Sequence, residues 1–95
     1  MEFKKRGYNK PNFFGEGGTN PDFPIEVGNK AKLYVKDMPE KSNDIIVEIT
    51  EIDGNNYVGK IVNTKLPKGK SDIGQIITFD EKNIFVCGKS DTADF

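Results

Sequence analysis

The chain has 95 residues, a hydrophobic content of 35 % and a formal net charge of −1. This length provides for one domain with a modest core, and the near-neutral charge excludes a global field that would recruit nucleic acid or membrane. There is no histidine, the commonest acid–base residue and imidazole ligand, and the single cysteine excludes an internal disulfide. We therefore expect a protein of the reducing cytoplasm that is not an enzyme and uses no cofactor or metal.

The first 24 residues are predicted to form an irregular arm, because glycines and prolines interrupt them too often for a helix. The arm carries more aromatic side chains than a free tail normally holds, which predicts that it packs on the domain or on a partner. Aromatics interleaved with cations are also typical of proteins that bind single-stranded nucleic acid; the alternative is that the cations are merely solvated. The residues of the arm that we assign to partner binding are Lys4, Lys5, Arg6, Tyr8, Phe13 and Phe14.

Residues 25–87 are predicted to form the domain itself, from about five β-strands. Ala31, Leu33 and Val35 alternate with polar residues, which is the pattern of a half-buried strand. In the next strand the apolar face changes after Ile49, and this change predicts a β-bulge near residues 50–51. The later strands are predicted at residues 44–53, 57–64, 73–79 and 84–87, with a polar tail at 88–95.

The second half of the chain contains a long hairpin, "VEITEIDGNNYVGKIVN", followed by "IGQIITFDEKNIFVC", in which a short acidic turn leads to the last strand. Residues 44–87 resemble SH3-like small barrels, in which a single turn separates the last two strands, and are also similar to bacterial DUF2314-type domains. The resemblance implies an all-β fold, namely a small five-stranded antiparallel SH3-like barrel carrying the irregular N-terminal arm. It implies no particular activity, because such barrels host many functions.

Two charged stretches of the domain are candidate binding surfaces. The basic one either contacts the phosphates of a nucleic acid or solubilises a hairpin tip, and its members are Lys60, Lys65, Lys68 and Lys70. The acidic one lies on the strand at residues 44–53, where carboxylates either bind a hard cation or form a catalytic pair, or protect a strand edge by their charge. Their spacing does not match a calcium loop, which favours edge protection. Cys87 lacks an activating base and is expected to be a small buried hydrophobe.

The sequence thus predicts a binding protein that acts on a macromolecule, most simply a protein partner that segregated charge would orient. Abundant Lys, Asn and Ile indicate an AT-rich genome, that of a low-GC bacterium, its phage or a mobile element. Proteins of this size and composition are often adaptors or inhibitors, so we expect a phage or mobile-element inhibitor or adaptor that binds a host protein. One alternative is a single-stranded nucleic-acid-binding protein, and another is a small-ligand-binding, sponge-type oligomer. A homo-oligomer could form through a sheet edge or the arm, whereas no apolar run is long enough to span a bilayer.

Overall fold

The computed structural model describes residues 1–7, 11–14 and 25–89, and for residues 12–14 the backbone alone. The described part of the chain holds six strands and one 3-10 turn at Glu81–Asn83. The strands are β1 (Asn12–Phe14), β2 (Lys30–Tyr34), β3 (Asp44–Asp53), β4 (Asn56–Thr64), β5 (Ile76–Asp80) and β6 (Val86–Gly88). No helix within these residues has the length and apolar character needed to cross a membrane.

The strands form one sheet in the order β1-β6-β2-β3-β4-β5. The five strands from β2 to β6 pair in antiparallel fashion, which confirms the predicted all-β class, and β1 runs parallel to β6. The sheet is open, since no pairing among the described strands joins β5 to β1. A closed barrel is therefore not confirmed, and β1 was not predicted, because its three residues lie in the Gly/Pro-rich arm.

The long hairpin of β3 and β4 contains two breaks in its register. The break between Ile49 and Glu51 confirms the bulge that the change of apolar face predicts. The second break, between Ile46 and Val47, was not predicted. Both faces of β3 are buried at this point, so the alternation that would reveal a change of face is missing.

The core lies on one face of the sheet and is built mainly from β2, β3 and β4. Its fully buried aliphatic side chains are Leu33, Ile45, Val47, Ile49, Ile61 and Ile84. Tyr57 and Phe79 stack beside them, with ring centroids 5.8 Å apart. Gly59 allows this packing, because a Cβ atom there would lie 3.1 Å from the Phe79 ring and from Val47.

The last two strands begin later than the sequence predicts. Residues 72–75 form a turn instead of the start of β5, with Gly74 at a φ of +93° and its N–H bonded to the Ile61 carbonyl at 2.7 Å. Ile73, an apolar residue that favoured a strand, is consequently exposed. The acidic segment between β5 and β6 is the single turn that was predicted, here a 3-10 turn.

Candidate functional site

The first residues of the chain extend the sheet beside the end of β2. Phe3 forms an isolated antiparallel bridge with Val35 and joins the core. The Lys4 N–H donates to the Tyr34 carbonyl at 2.7 Å, and the Lys36 N–H donates to the Glu2 carbonyl at 2.9 Å. This part of the predicted arm therefore packs on its own domain.

Arg6 fastens the same segment to the 3-10 turn. Its side chain is almost completely buried and forms an ion pair with the Glu81 carboxylate. The guanidinium also donates to the main-chain carbonyls of Glu81 and Ile84, the latter at 3.0 Å. The prediction that Arg6 contacts a partner needs correction, because these atoms of its own chain enclose the guanidinium.

Asn83 completes the attachment from the other side of the turn. Its buried amide donates to the carbonyls of Lys4 at 3.2 Å and Phe3 at 3.4 Å, while its oxygen accepts from the Asp80 N–H at 2.7 Å. Asp80 in return accepts from the Lys82 N–H, which makes a capping box. The Asp-x-x-Asn spacing is a signal that could have identified this cap from the sequence, but not its contact with the arm.

A surface groove lies where this attached segment meets β2, the loop at residues 37–43 and the start of β6. Its volume is about 370 Å³, and we call it the Tyr34–Phe85 groove. The two rings meet edge to face, with centroids 4.9 Å apart and an angle of 86° between their planes. The residues that line the groove are Lys4, Tyr34, Glu40, Lys41, Asn43 and Phe85.

Asn43 is the most constrained polar residue of the groove. The residue is only 4 % exposed, and its carbonyl accepts from the Val35 N–H at 2.7 Å. No hydrogen bond to its side-chain amide is formed among the residues that the structure describes. The amide carries two donors and one acceptor, so the groove contains a hydrogen-bonding group that is open to a ligand and lies beside two aromatic rings.

The loop at residues 37–43 holds a strained backbone beside the groove. Asp37 and Lys41 adopt φ values of 64° and 71°, in the left-handed region that side chains with a Cβ disfavour. Lys41 lines the groove, whereas Asp37 does not. Strain of this kind concentrates at functional sites, where the surrounding structure holds a side chain in position for a ligand.

The charges of the groove are unequal. Lys4 and Lys41 contribute two ammonium groups, and Glu40 contributes one carboxylate. Neither lysine forms an ion pair within the described ranges. The nearest acid on the neighbouring strand, Asp44, stands opposite Tyr34 in the register and lies 3.9 Å from Lys32 Nζ and 3.7 Å from Lys65 Nζ.

The predicted partner-binding residues of the arm lie in different parts of the structure. Lys4 lines the groove, and Lys5 is exposed beside it in the chain. Phe13 and Phe14 belong to β1, where their backbones stand in register with Cys87 and Gly88. Their side chains, and all of Tyr8, lie outside the described residues. Of the groove residues, Tyr34 could have been identified from the sequence, because it is an aromatic on the lysine-rich outer face of its strand. No sequence pattern distinguishes Asn43.

The predicted basic surface is spread over one strand and one loop. Lys60 lies on the outer face of β4, opposite Glu48 in the register, and opposite charges at such positions attract. Lys65, Lys68 and Lys70 are exposed in the loop at residues 65–72, which a hydrogen bond of 2.7 Å between the Thr64 and Ser71 hydroxyls closes. Lys65 faces Asp44, which the sequence had assigned to the acidic stretch.

The acidic side chains of β3 do not converge. Among the described residues, no group of three or more carboxylate, thiol or imidazole side chains lies close enough to hold a metal ion. Glu48 stands opposite Lys30 on one side and Lys60 on the other, which places it in a row of alternating charge across the sheet. This arrangement fits charge on a solvated sheet face.

Cys87 is fully buried, and this burial raises the pKa of its thiol to about 12 from an ordinary value of 9.0. The thiol faces the side-chain oxygen of Asn29, with a Sγ–Oδ1 distance of 3.8 Å. Burial also raises the pKa of the Tyr57 hydroxyl, an effect to which the Glu81 carboxylate adds. Because the pKa of Cys87 is raised, its thiolate, which is the reactive form, is absent from the native protein near neutral pH.

We expect the Cys87 thiol to resist a thiol reagent at about pH 8 in the native protein and to react fully once urea unfolds the chain.

Because the native pKa lies above the unfolded value, the stability linked to the neutral thiol is complete below pH 9.0 and is lost towards pH 12. The slope is about 1.4 kcal/mol per pH unit. Cys87→Ala should therefore lose less free energy of unfolding at alkaline pH than the original protein, while the loss caused by Tyr57 remains. The same pH dependence of the free energy of unfolding in both proteins would contradict the assignment.

No protein-family model, curated protein or solved structure matches this chain.

Proposed function

We propose that the protein is a non-enzymatic binding module that takes an extended segment of a partner protein into the Tyr34–Phe85 groove. The observation that carries the proposal is the side-chain amide of Asn43, which makes no hydrogen bond within the described part of the chain and is reached by solvent although the residue is only 4 % exposed. A ligand that covers the groove must offer this amide hydrogen-bond partners, because burying it without them would be unfavourable. A peptide main chain supplies both the acceptor and the donor that this amide requires.

The rings of Tyr34 and Phe85 supply the apolar part of such an interaction. Tyr34 and Phe85 are half-buried, so their rings hold a defined geometry and still present a surface to the groove. Aromatic side chains at the centre of a contact contribute most of the binding free energy in protein interfaces. An inhibitor or adaptor of the kind that phages and mobile elements encode needs no chemistry beyond this binding.

Single-stranded nucleic acid is the second candidate ligand, because a base could stack on the rings while Lys4 and Lys41 bind phosphates. The position of Asp44 disfavours the binding of nucleic acid. This carboxylate stands opposite Tyr34 and binds Lys65, so it lies between the groove and the predicted basic loop. A phosphate backbone that ran from one to the other would meet this acid, which argues for a protein segment.

Selection of a random peptide library against the protein tests the proposal, and we expect it to return peptides that bind with micromolar to millimolar affinity. Asn43→Ala should weaken a selected peptide at least about tenfold while leaving the stability unchanged, since the amide has no hydrogen bond to lose. Asn56→Ala, at the exposed start of β4 and with no side-chain hydrogen bond among the described residues, is the matched control. A library that returns nothing, or peptides that bind Asn43→Ala as tightly as the original, would reject the groove as the site.

The strained loop provides a second pair of matched variants for the same experiment. Lys41→Gly and Asp37→Gly both relieve a left-handed backbone and should each raise the free energy of unfolding by about 0.5–1 kcal/mol. Only Lys41 lines the groove, so only Lys41→Gly should weaken the peptide. Equal weakening by both variants would assign the effect to loop dynamics instead of the lysine side chain.

A further inference from the structure

We infer that the segment which the Tyr34–Phe85 groove takes is acidic, an inference that rests on the proposed function. Lys4 and Lys41 line the groove with two cations against the single carboxylate of Glu40. Within the described residues neither cation is neutralised by an ion pair. The groove therefore carries an excess of positive charge on a chain whose net charge is −1.

Both cations are anchored by the backbone that carries them. The main chain of Lys4 donates to Tyr34 and accepts from the buried amide of Asn83. Lys41 sits in the left-handed conformation of a short loop. Because the attachment points are fixed, less backbone entropy is lost on pairing with a carboxylate than for a lysine on a free segment.

The acids of the surrounding elements do not neutralise these lysines. Asp44, the closest acid on β3, is engaged by Lys32 and Lys65. Glu2, an exposed residue, forms no ion pair with either lysine among the described residues. Glu81 is held by Arg6 on the other side of the segment. A ligand carboxylate therefore completes the charge balance of the groove without displacing an existing pair.

The size of the groove fits a short part of a protein segment. A volume of about 370 Å³ lies at the small end of ligand sites, enough for one aromatic or aliphatic side chain with its flanking backbone. Aspartate or glutamate on either side of that side chain would reach Lys4 and Lys41. The structure thus points to an acidic segment built around one apolar anchor.

Two synthetic peptides test this inference directly. One contains a phenylalanine flanked by aspartates, and the other replaces each aspartate by asparagine, so that shape is kept and charge is removed. The side-chain amide resonances of Asn43 report binding at the groove in a nitrogen–proton NMR correlation spectrum. We expect the acidic peptide to bind at least about tenfold more tightly, with the advantage shrinking as salt rises from about 0.05 to 0.5 M.

Variants assign the charge effect to residues. Lys4→Gln and Lys41→Gln should each reduce the preference for the acidic peptide several-fold, while Lys36→Gln, exposed and outside the groove, should leave it unchanged. Equal binding of the two peptides overturns the inference but leaves the proposed function standing. Binding of oligothymidylate that shifts the Asn43 amide, with no binding of either peptide, overturns both in favour of nucleic acid.

Discussion

Replacing Arg6 with methionine is expected to lower the free energy of unfolding by about 2–4 kcal/mol, a large part of the stability of a domain of this size. The substitution keeps the apolar stem and removes the guanidinium. The carboxylate of Glu81 then loses its partner, and the carbonyls of Glu81 and Ile84 lose their donor in a buried site. Urea unfolding followed by circular dichroism measures the change as a shift in midpoint at constant slope.

Two companion variants separate the ion pair from the carbonyl contacts. Glu81→Met leaves the buried guanidinium of Arg6 with both carbonyl acceptors but without a counter-charge, so it should cost about 1.5–3 kcal/mol. Lys5→Met, at the neighbouring exposed position, should change stability by less than about 0.5 kcal/mol. If Arg6→Met were as mild as Lys5→Met, the attached segment would not contribute to stability, and Arg6 would again be available for a partner.

The strand content was predictable because the apolar alternation of the chain is local. The spacing of Ala31, Leu33 and Val35 predicted β2, and the change of face after Ile49 predicted the first bulge. Each signal needs only a few consecutive residues. The signal fails where both faces of a strand are buried, as at Ile46 and Val47, and where an apolar residue serves a turn, as at Ile73.

The attachment of the arm was not predictable, because it depends on contacts between residues far apart in the chain. Arg6 and Glu81 are separated by 75 positions, and no periodicity or motif connects them. A sequence that places cations beside aromatics is equally compatible with a binding arm and with a buried ion pair. Composition alone therefore assigned Arg6 to the surface, whereas the fold uses it in the interior.

The candidate groove combines predictable and unpredictable parts in the same way. Tyr34 stands out because an aromatic occupies the outer face of a strand whose other outward residues are lysines. Asn43 and Lys41 gain their roles only from the conformation of the loop that joins β2 to β3. Loop geometry is set by both flanking strands, so the chemistry of the groove emerges only when the register of the hairpin is known.

Replacing Phe3 with alanine is expected to lower the free energy of unfolding by about 3–5 kcal/mol. Phe3 is 8 % exposed and belongs to the single core cluster of the described residues, although it lies at the beginning of an arm rich in glycine and proline. The variant leaves a cavity and breaks the bridge to Val35. The corresponding drop in Tm is about 12–30 °C, measurable by calorimetry.

Met1→Ala is the control, because Met1 is 52 % exposed and contributes little to the core. A loss below about 1 kcal/mol for Phe3→Ala would show that the domain is complete without this segment. If Phe3→Ala causes the expected loss of stability, the same substitution should also affect binding. Lys4 follows Phe3 directly and lines the groove, so a segment that detaches takes one of the two cations with it. Phe3→Ala, measured below its lowered Tm, should therefore also reduce the preference for an acidic peptide.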